Sequence, residues 1–288
     1  MRLLITVGDP AGVGPEVLLK ALQHLRVPSS VSISIVGDLR TKKFRPGRVS
    51  AQAGRAAYLY LKEAVELLKR GKADALVTAP VSKEAIVRAG IPWVGHTEFL
   101  GKSFRAQTVM MFVTGSFRVS LVTTHLALKE IPGRLHASQV TRVLKMTRDT
   151  LKRDFDIRSP RIGLAALNPH GGEGGLFGKE EKKILRPAAQ AAGRWVRGPV
   201  PVDSLMQAAS KGAFDAVVAI YHDQALIPVK LLGWEKAVHV TLGLPFVRTS
   251  PVHGTAFDIA GRGTADHRSM QAAIEMAIRL ARRRASGQ

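Results

Sequence analysis

Short apolar runs alternate along the chain with stretches in which apolar residues recur every three or four positions, the pattern of an α/β protein. The short runs predict buried strands over residues 2–7, 31–37, 75–78, 162–167 and 216–220. The helical spacing predicts helices over residues 17–25, 51–70, 82–89, 138–154, 179–192 and 269–284. Residues 109–113 and 119–122 flank Gly115 and Ser116 and predict a hairpin, so we expect a mixed sheet.

Turn-forming residues mark the connections between these elements. The basic stretch 40–48 contains Pro46 and Gly47 and is expected to form a loop. Ser50 follows it at a position suited to capping the helix over 51–70. A turn around Gly198, Pro199 and Pro201 is expected to lead to Asp203.

Length and composition bound the class of protein. A chain of 288 residues can form one large α/β domain or two domains that share a cleft. No apolar run approaches the roughly twenty residues that span a bilayer, and residues 1–7 enter a strand pattern directly, so we expect a cytoplasmic protein. The chain has no cysteine, which excludes disulfides, thiolate catalysis and cysteine-ligated metals, so any metal is held by His, Asp or Glu.

The formal net charge of +21 would attract any polyanion, including nucleic acid. A nucleic-acid-binding module usually joins its basic patch to exposed aromatic residues or a groove-reading helix. Aromatic residues make up only 6% of this chain, and no such motif occurs. We therefore favour a basic enzyme with anionic ligands and keep nucleic-acid binding as the weaker alternative.

Two segments carry candidate anion-binding groups. Residues 8–16 form a glycine-rich turn between a strand and a helix, where backbone amides can approach an anion. This turn is neither a dinucleotide fingerprint nor a P-loop, and a simple tight turn explains it equally well. His96 and Thr97 begin another short helix and are able to donate hydrogen bonds to a phosphate or carboxylate. The alternative is a helix cap at Thr97 beside an incidental histidine.

Three histidines each follow a different apolar strand: His125, His170 and His222. If those strands are neighbours, the three side chains reach one edge of the sheet. Neutral imidazoles are good ligands for zinc and similar divalent ions. The spacing is too long for a local metal motif, so hydrogen-bonding or substrate-binding histidines remain the alternative.

Seven motifs in order resemble the 4-hydroxythreonine-4-phosphate dehydrogenase family of pyridoxal phosphate biosynthesis and its relatives that act on phosphorylated threonate-type acids. The motifs are GDPAGVGPE at 8–16, GHTEF at 95–99, TTHLAL at 123–128, LNPHGGEGG at 167–175, YHDQ at 221–224, TLGLPFVRTS at 241–250 and HGTAFDIAGRG at 253–263. The chain departs from the family in being shorter around 40–48 and in having Pro251 and Val252 where Val-Asp is common.

The resemblance implies an isocitrate/isopropylmalate dehydrogenase-like fold, in which residues 1–288 form one unit of two interleaved α/β subdomains around a central cleft. It implies a homodimer with a shared active site. The metal ligands of the family fall on His125, His170 and His222, and the divalent ion is Zn, Mg or Co. The substrate contacts fall on His96, Thr97, Lys230, Arg248 and His239, the last at a position that is usually Asn.

The activity implied is NAD-dependent, metal-assisted oxidation and decarboxylation of 4-phosphooxy-L-threonine to 3-amino-1-hydroxyacetone phosphate. A dehydrogenase of 4-phospho-D-threonate or 4-phospho-D-erythronate is the alternative. Lys230 or Asp203 would handle the proton.

The cofactor loop of the resemblance covers residues 253–266. Its adenine-binding turn falls on His253, Gly254, Thr255 and Ala256, and the residues that meet the ribose fall on Asp258 and Ile259. A carboxylate at 258 accepts from a ribose 2′-hydroxyl and repels a 2′-phosphate, so we expect NAD rather than NADP. The alternative is that Asp258 caps a helix or turn.

Overall fold

A computed structural model describes residues 1–39, 43–93 and 95–286. The chain divides into two compact units, the first comprising Met1–Thr108 and Glu235–Ser286 and the second comprising Val109–Trp234. The second unit is therefore inserted into the chain of the first. Of the basic stretch 40–48 that was predicted as a loop, residues 40–42 lie outside the described residues, and residues 43–48 have no regular secondary structure.

The strands in chain order are β1 (Arg2–Thr6), β2 (Ser32–Val36), β3 (Ala75–Thr78), β4 (Val109–Thr114), β5 (Phe117–Leu121), β6 (Ile162–Ala165), β7 (Val196–Val200), β8 (Ala216–Ala219), β9 (Val238–Leu242) and β10 (Val247–Pro251).

The helices are α1 (Gly14–His24), α2 (Ala51–Lys69), α3 (Lys83–Arg88), α4 (His96–Ser103), α5 (Ile131–Arg134), α6 (Ala137–Phe155), α7 (Arg186–Ala192), α8 (Val202–Ser210), α9 (His222–Gly233) and α10 (Arg268–Ser286). Short 3-10 segments occupy Leu128–Glu130 and Trp234–Lys236, and a π-helical turn occupies Glu181–Leu185. Pro169–Gly175 is an irregular turn in which residues 170–175 have positive φ. Within the part of the chain described here, no helix is long and apolar enough to cross a membrane.

In the first unit the strand order is β2-β1-β3-β10-β9. Strands β2, β1, β3 and β10 run parallel, and β9 pairs antiparallel with β10. The carboxyl ends of β1, β3 and β10 therefore meet at one edge of this sheet. Polar loops that follow these three strands are brought together there.

In the second unit the strand order is β4-β5-β8-β6-β7. The hairpin β4-β5 is antiparallel, whereas β5, β8, β6 and β7 are parallel. Both units thus combine parallel and antiparallel pairing, which confirms the predicted mixed sheet and α/β class.

Helix α2 illustrates how local sequence determines an element. Ser50 accepts a hydrogen bond from the amide of Ala53 at 3.1 Å and caps the helix, as predicted. Its apolar face buries Leu61 and Leu68 in a core that also contains Leu76 of β3. The predicted bounds and the observed bounds agree because the cap and the apolar repeat lie in the same short segment.

Several observed elements differ from the sequence prediction. The segment around Gly198 and Pro199, predicted as a turn, is strand β7, which lies at the end of its sheet. An edge strand tolerates proline because one of its sides needs no ladder hydrogen bond. The sequence pattern did not predict helices α8 and α9 or strand β10.

Candidate active site

Two glycine-rich loops meet where β1 and β10 end in the first unit. The amide of Val13 donates to the carbonyl oxygen of Thr255 at 2.9 Å. A Cβ atom built on Gly12 would lie 2.9 Å from the same oxygen, so the approach requires glycine at this position. The glycine-rich turn over 8–16 is thus more than an isolated turn, because it supports the predicted cofactor loop.

The predicted cofactor residues form a turn that is partly open to solvent. His253 Nδ1 donates to the carbonyl of Gly254 at 3.0 Å, and the amide of Ile259 donates to the carbonyl of Ala256 at 3.2 Å. Asp258 is exposed, and its carboxylate has no hydrogen-bond partner among residues 1–39, 43–93 and 95–286. The alternative role of Asp258 as a cap therefore finds no support, and its oxygens are available to a ligand.

Glu16 and Lys20 fix the far end of this loop to helix α1. The Glu16 carboxylate accepts from the amides of Gly263 at 3.3 Å and Ala265 at 2.8 Å. Lys20 Nζ donates to the carbonyls of the same two residues at 2.8 and 2.9 Å. This pair was not predicted from the sequence, although Glu16 lies inside the GDPAGVGPE motif.

Arg248 is a fully buried cation in the middle of the first sheet, with 2% of its surface exposed. Its Nη atoms donate to His239 Nδ1 at 3.1 Å, to Thr241 Oγ1 at 3.0 Å and to Thr78 Oγ1. Its Nε is buried and has no partner within the described residues. Burial lowers the pKa of Arg248 to about 9 while nearby Glu98 acts in the opposite direction, so the guanidinium is charged at neutral pH.

His96 and Thr97 supply two further buried polar atoms without partners. His96 Nε2 and Thr97 Oγ1 are both inaccessible to solvent and unpaired in the described part of the chain. Gly95 occupies the N-cap of helix α4, so the alternative in which Thr97 caps this helix is wrong. Together with Arg248, the first turn of α4 presents hydrogen-bond donors to an anion, a usual arrangement at a helix N-terminus.

His239 has a different contact from the one expected for a substrate ligand. It is buried at 8% exposure on β9, and its Nδ1 accepts from Arg248. An asparagine side chain, which is common at this position in the family, has a carbonyl oxygen that would accept in the same way. His239 therefore orients Arg248 in this structure.

Acidification is expected to destabilise the fold through His96. Burial, followed by the positive charge of Arg248, holds the pKa of His96 well below its ordinary value of 6.5. Below pH 6.5 the unfolded chain protonates this group before the folded chain does, so stability is lost as pH falls through that window.

Urea unfolding at about pH 7.5 and about pH 5.5 measures this loss. His96→Gln should lose less stability between the two pH values than the wild type. Exposed His136→Gln serves as the matched control. Equal pH dependence in all three proteins would contradict the assignment to His96.

In the second unit, the three predicted histidines follow three neighbouring parallel strands, β5, β8 and β6. The rings of His125 and His222 lie 5.6 Å apart between centroids. His170 is largely exposed and contacts Phe177, with ring centroids 6.4 Å apart. Within the ranges described, no group of three or more His, Cys, Asp or Glu side chains is arranged to hold a metal ion.

Two of these histidines carry a carboxylate partner that suits metal binding. His222 Nδ1 lies 2.8 Å from Asp223 Oδ1, and His170 Nδ1 lies 3.0 Å from Glu173 Oε2. Donation from Nδ1 to a carboxylate leaves the Nε2 lone pair available, as in many histidine–metal sites. The donor chemistry of the residues therefore fits a divalent ion.

Gln224 and Glu181 hold the strand ends that carry the histidines, and sequence analysis missed both roles. The side chain of Gln224 accepts from the amide of Ile220 at 2.8 Å and donates to the carbonyl of Ala166 at 2.9 Å, which ties β8 to β6. Buried Glu181 accepts from the amides of Leu167 at 2.9 Å and Asn168 at 2.7 Å. Gln224 lies in the YHDQ motif, so the sequence offered a signal for it. Glu181 lies outside the seven motifs, and its only link to them is its contact with Leu167 and Asn168 of LNPHGGEGG.

The two candidate proton-transfer residues lie on exposed helix surfaces of the second unit. Lys230 is on α9, and its Nζ stands over the ring of Trp234 at 4.7 Å from the centroid. Asp203 is in the first turn of α8, with Ser204 Oγ at 3.5 Å. Lys230 is eight residues after His222, which corresponds to about 12 Å along the helix axis.

Comparison with known proteins supports the resemblance over nearly the whole chain. A model of the family described as pyridoxal phosphate biosynthetic protein PdxA matches residues 12–277. The 4-hydroxythreonine-4-phosphate dehydrogenase of Desulfosudis oleivorans is 40% identical over 318 residues, which cover 95% of this chain and 94% of that protein. The D-threonate 4-phosphate dehydrogenase of Cupriavidus necator is 41% identical over 325 residues, which cover 98% and 97%.

Solved structures give the same result. The crystal structure of 4-hydroxythreonine-4-phosphate dehydrogenase from Klebsiella pneumoniae superposes with a TM-score of 0.83 at 34% identity, covering 97% of this chain and 99% of that chain. Isocitrate dehydrogenase from Methylococcus capsulatus, at 13% identity and a TM-score of 0.50 over 96% and 84% of the two chains, shares the fold alone. These findings confirm the predicted fold type and a dehydrogenase-type enzyme, and the chain belongs to the family of pyridoxal phosphate biosynthetic protein PdxA.

Proposed function

We propose that this protein catalyses NAD-dependent, metal-assisted oxidation of 4-phosphooxy-L-threonine, followed by decarboxylation to 3-amino-1-hydroxyacetone phosphate. The carbinol carbon of the substrate would give a hydride to NAD held by residues 253–259, and the hydroxyl proton would pass to Lys230 or Asp203. The resulting β-keto acid then loses carbon dioxide. The substrate is a small phosphorylated acid both in this reaction and in the alternative, oxidation of 4-phospho-D-threonate or 4-phospho-D-erythronate.

The observation that carries this proposal is the buried charge of Arg248. A fully buried guanidinium, whose Nε has no partner and which binds no carboxylate among the described residues, is costly unless an anion completes the site. His96 Nε2 and Thr97 Oγ1 are buried and unpaired as well. Charge-assisted hydrogen bonds to a phosphate or carboxylate would satisfy all three groups.

His125, His170 and His222 would hold the divalent ion, Zn, Mg or Co. Such an ion supplies Lewis-acid stabilisation of negative charge that develops on a substrate oxygen. Asp223 and Glu173 orient two of the imidazoles through Nδ1 and keep them in the tautomer that binds with Nε2.

Proton transfer is assigned to Lys230 or Asp203. Both side chains are exposed and bear no ion pair within the described residues, so both are free to approach a ligand. The distance of about 12 Å along α9 separates Lys230 from His222 of the same chain. This separation favours Lys230 acting on the substrate bound by the other subunit of a homodimer.

The direct test is an assay of one enzyme preparation with both classes of substrate. Production of NADH with 4-phosphooxy-L-threonine, at a higher kcat/KM than with 4-phospho-D-threonate or 4-phospho-D-erythronate, supports the proposed reaction. The opposite preference supports the alternative dehydrogenase. Relatives with each name are about equally similar to this chain, at 40% and 41% identity. Absence of NADH with every substrate, joined to saturable nucleic-acid binding near physiological salt, would instead favour a nucleic-acid-binding protein.

Asp258 is expected to make the enzyme prefer NAD over NADP. Its carboxylate is exposed and has no partner in the described ranges, so it can accept from the ribose 2′-hydroxyl and would repel a 2′-phosphate. Comparison of kcat/KM with the two cofactors should favour NAD by about 100-fold or more, equivalent to roughly 3 kcal/mol. Asp258→Asn should reduce this preference, and Asp149→Asn, at an exposed aspartate on α6, is a matched control that keeps it. An intrinsic preference for NADP would show that Asp258 does not meet the ribose.

The homodimer is supported by an apolar face on helix α9. Ile227, Leu231 and Leu232 are 57%, 82% and 50% exposed, and Trp234 adds a ring that is 41% exposed. A cluster of large apolar side chains in contact with water is typical of an association surface. Leu231→Glu is expected to shift the protein to a monomer in analytical ultracentrifugation, whereas Leu59→Glu, at a 52% exposed leucine on α2, should not. A dimer of unchanged stability in Leu231→Glu would exclude this face.

A further inference from the structure

A basic cleft of about 490 Å³ lies in the second unit, and the proposed reaction gives it no role. It is called the basic cleft below, and its cationic lining consists of Arg148, Lys152, Arg158, Arg161, Arg194 and Arg197. Trp195 and Phe214 contribute aromatic rings, and none of the described residues that line the cleft is acidic.

The basic cleft lies at the amino ends of the strands of the second sheet, whereas the predicted metal-binding histidines follow their carboxyl ends. Its lining includes Ile162 and Val196, the first residues of β6 and β7, and Phe214, which precedes β8. His170 and His222 follow the carboxyl ends of β6 and β8. Because β6, β7 and β8 are parallel, the cleft lies at their amino ends and is separate from the predicted metal ligands.

Most of the positive charge in the basic cleft is uncompensated. Arg161 is paired with Asp215, with Nε and Oδ2 separated by 3.2 Å. Lys152, Arg158, Arg194 and Arg197 have no ion pair in the described part of the chain. Four unpaired cations around one concavity repel each other, and an anionic ligand would relieve that repulsion.

Arg148 gives a second, independent indication of a ligand. Its guanidinium stacks on the ring of Trp195, with the Cζ atom 4.7 Å from the centroid. Its Nε is nevertheless buried and has no hydrogen-bond partner among the residues described. A buried donor without a partner is costly, and a rotation of the guanidinium toward the cleft would let an acceptor oxygen of a ligand satisfy it.

We propose that the basic cleft binds a small ligand that carries several phosphate groups, such as an oligophosphate or a nucleoside triphosphate. Arginine is the residue best suited to phosphate oxygens because its planar fork donates two parallel hydrogen bonds. The volume of about 490 Å³ is that of a small-molecule site. Arg148 covers one face of Trp195, which reduces the aromatic surface on which a base of a single-stranded nucleic acid could stack.

Isothermal titration calorimetry with tripolyphosphate tests this inference at about 0.15 M salt, where non-specific surface attraction is screened. Two double variants are compared with the wild type. Arg158→Gln with Arg197→Gln removes two cations of the basic cleft, whereas Arg55→Gln with Lys62→Gln removes two exposed, unpaired cations from α2. Each charge-assisted contact contributes about tenfold in Kd, so the first double variant should bind roughly 100-fold more weakly and the second should bind as the wild type does.

The dehydrogenase assay separates this inference from the proposed function. Arg158→Gln/Arg197→Gln should keep wild-type kcat/KM, and Arg248→Met should keep the binding that the cleft variant loses. Equal tripolyphosphate affinity in both double variants and the wild type would overturn the proposal. It would also be overturned if a 20-nucleotide single strand bound through Arg158 and Arg197 while tripolyphosphate did not, because the cleft would then belong to a nucleic-acid surface.

Discussion

Chelation of the divalent ion, or replacement of His170 by Ala, is expected to lower kcat by about a thousandfold or more. A Lewis acid on a developing oxyanion supplies several kcal/mol, and each 1.4 kcal/mol is about a factor of ten in rate. His170 is the ligand of choice for the variant because its side chain is 72% exposed, so truncation removes little packing. Steady-state NADH formation measures the loss.

His136→Ala is the matched control, since His136 is an exposed histidine that makes no side-chain cap for α6. It should keep both activity and bound metal. Elemental analysis of the purified proteins gives a second readout, in which His170→Ala holds less metal per chain than the wild type. If the chelated enzyme and His170→Ala both turn over at the wild-type rate, and no metal copurifies, the metal assignment is wrong.

Arg248→Met is expected to lower kcat/KM by roughly 100- to 10,000-fold, because two charge-assisted hydrogen bonds contribute about 1.5–3 kcal/mol each. Thermal stability should change little. The variant loses the hydrogen bonds to His239, Thr241 and Thr78, which lowers stability. It also removes a buried positive charge, and the pKa of Arg248, lowered by burial to about 9, shows that this charge is itself costly to bury. Methionine fills the space of the aliphatic stem.

Lys230→Met gives an informative comparison with Arg248→Met. Lys230 is exposed over Trp234, so its loss should leave the fold unaffected whatever its role. We expect kcat/KM to fall in this variant as well, since an anionic substrate needs cations from more than one side. Unchanged kinetics in Lys230→Met would assign this lysine to the basic surface, and unchanged kinetics in Arg248→Met would remove the basis of the proposed substrate site.

Sequence patterns predicted elements whose determinants are local, and they failed where a distant partner decides the conformation. The bounds of α2 follow from Ser50 and an apolar repeat. Strand β10 contains the polar residues Arg248 and Thr249, so it lacks the apolar run by which a buried strand is recognised in a sequence. Helix α9 was not predicted because Pro228 interrupts its helical pattern. An internal proline lowers helix stability, but the burial of the helix against the rest of the protein can outweigh that loss.

The candidate site shows the same division. That His125, His170 and His222 follow strands was evident from the chain, but the neighbouring positions of β5, β8 and β6 depend on contacts more than forty residues apart. Glu181 supports the His170 segment from a π-helical turn that helical periodicity does not distinguish from an α-helix. The buried, unpaired atoms around Arg248 become visible only in three dimensions.

The segment that carries His170 has a stereochemical consequence. Six successive residues, 170–175, have positive φ, and two of them, His170 and Glu173, are not glycine. For an L-residue this conformation costs about 1–2 kcal/mol. At Gly171 and Gly174 an added Cβ would meet no described atom within 4 Å, so an L-alanine there would be disfavoured by its backbone conformation and not by lack of space. Gly171→Ala and Gly174→Ala should therefore each destabilise the protein by about 1 kcal/mol through backbone conformation alone, in the loop that carries the predicted metal ligand His170.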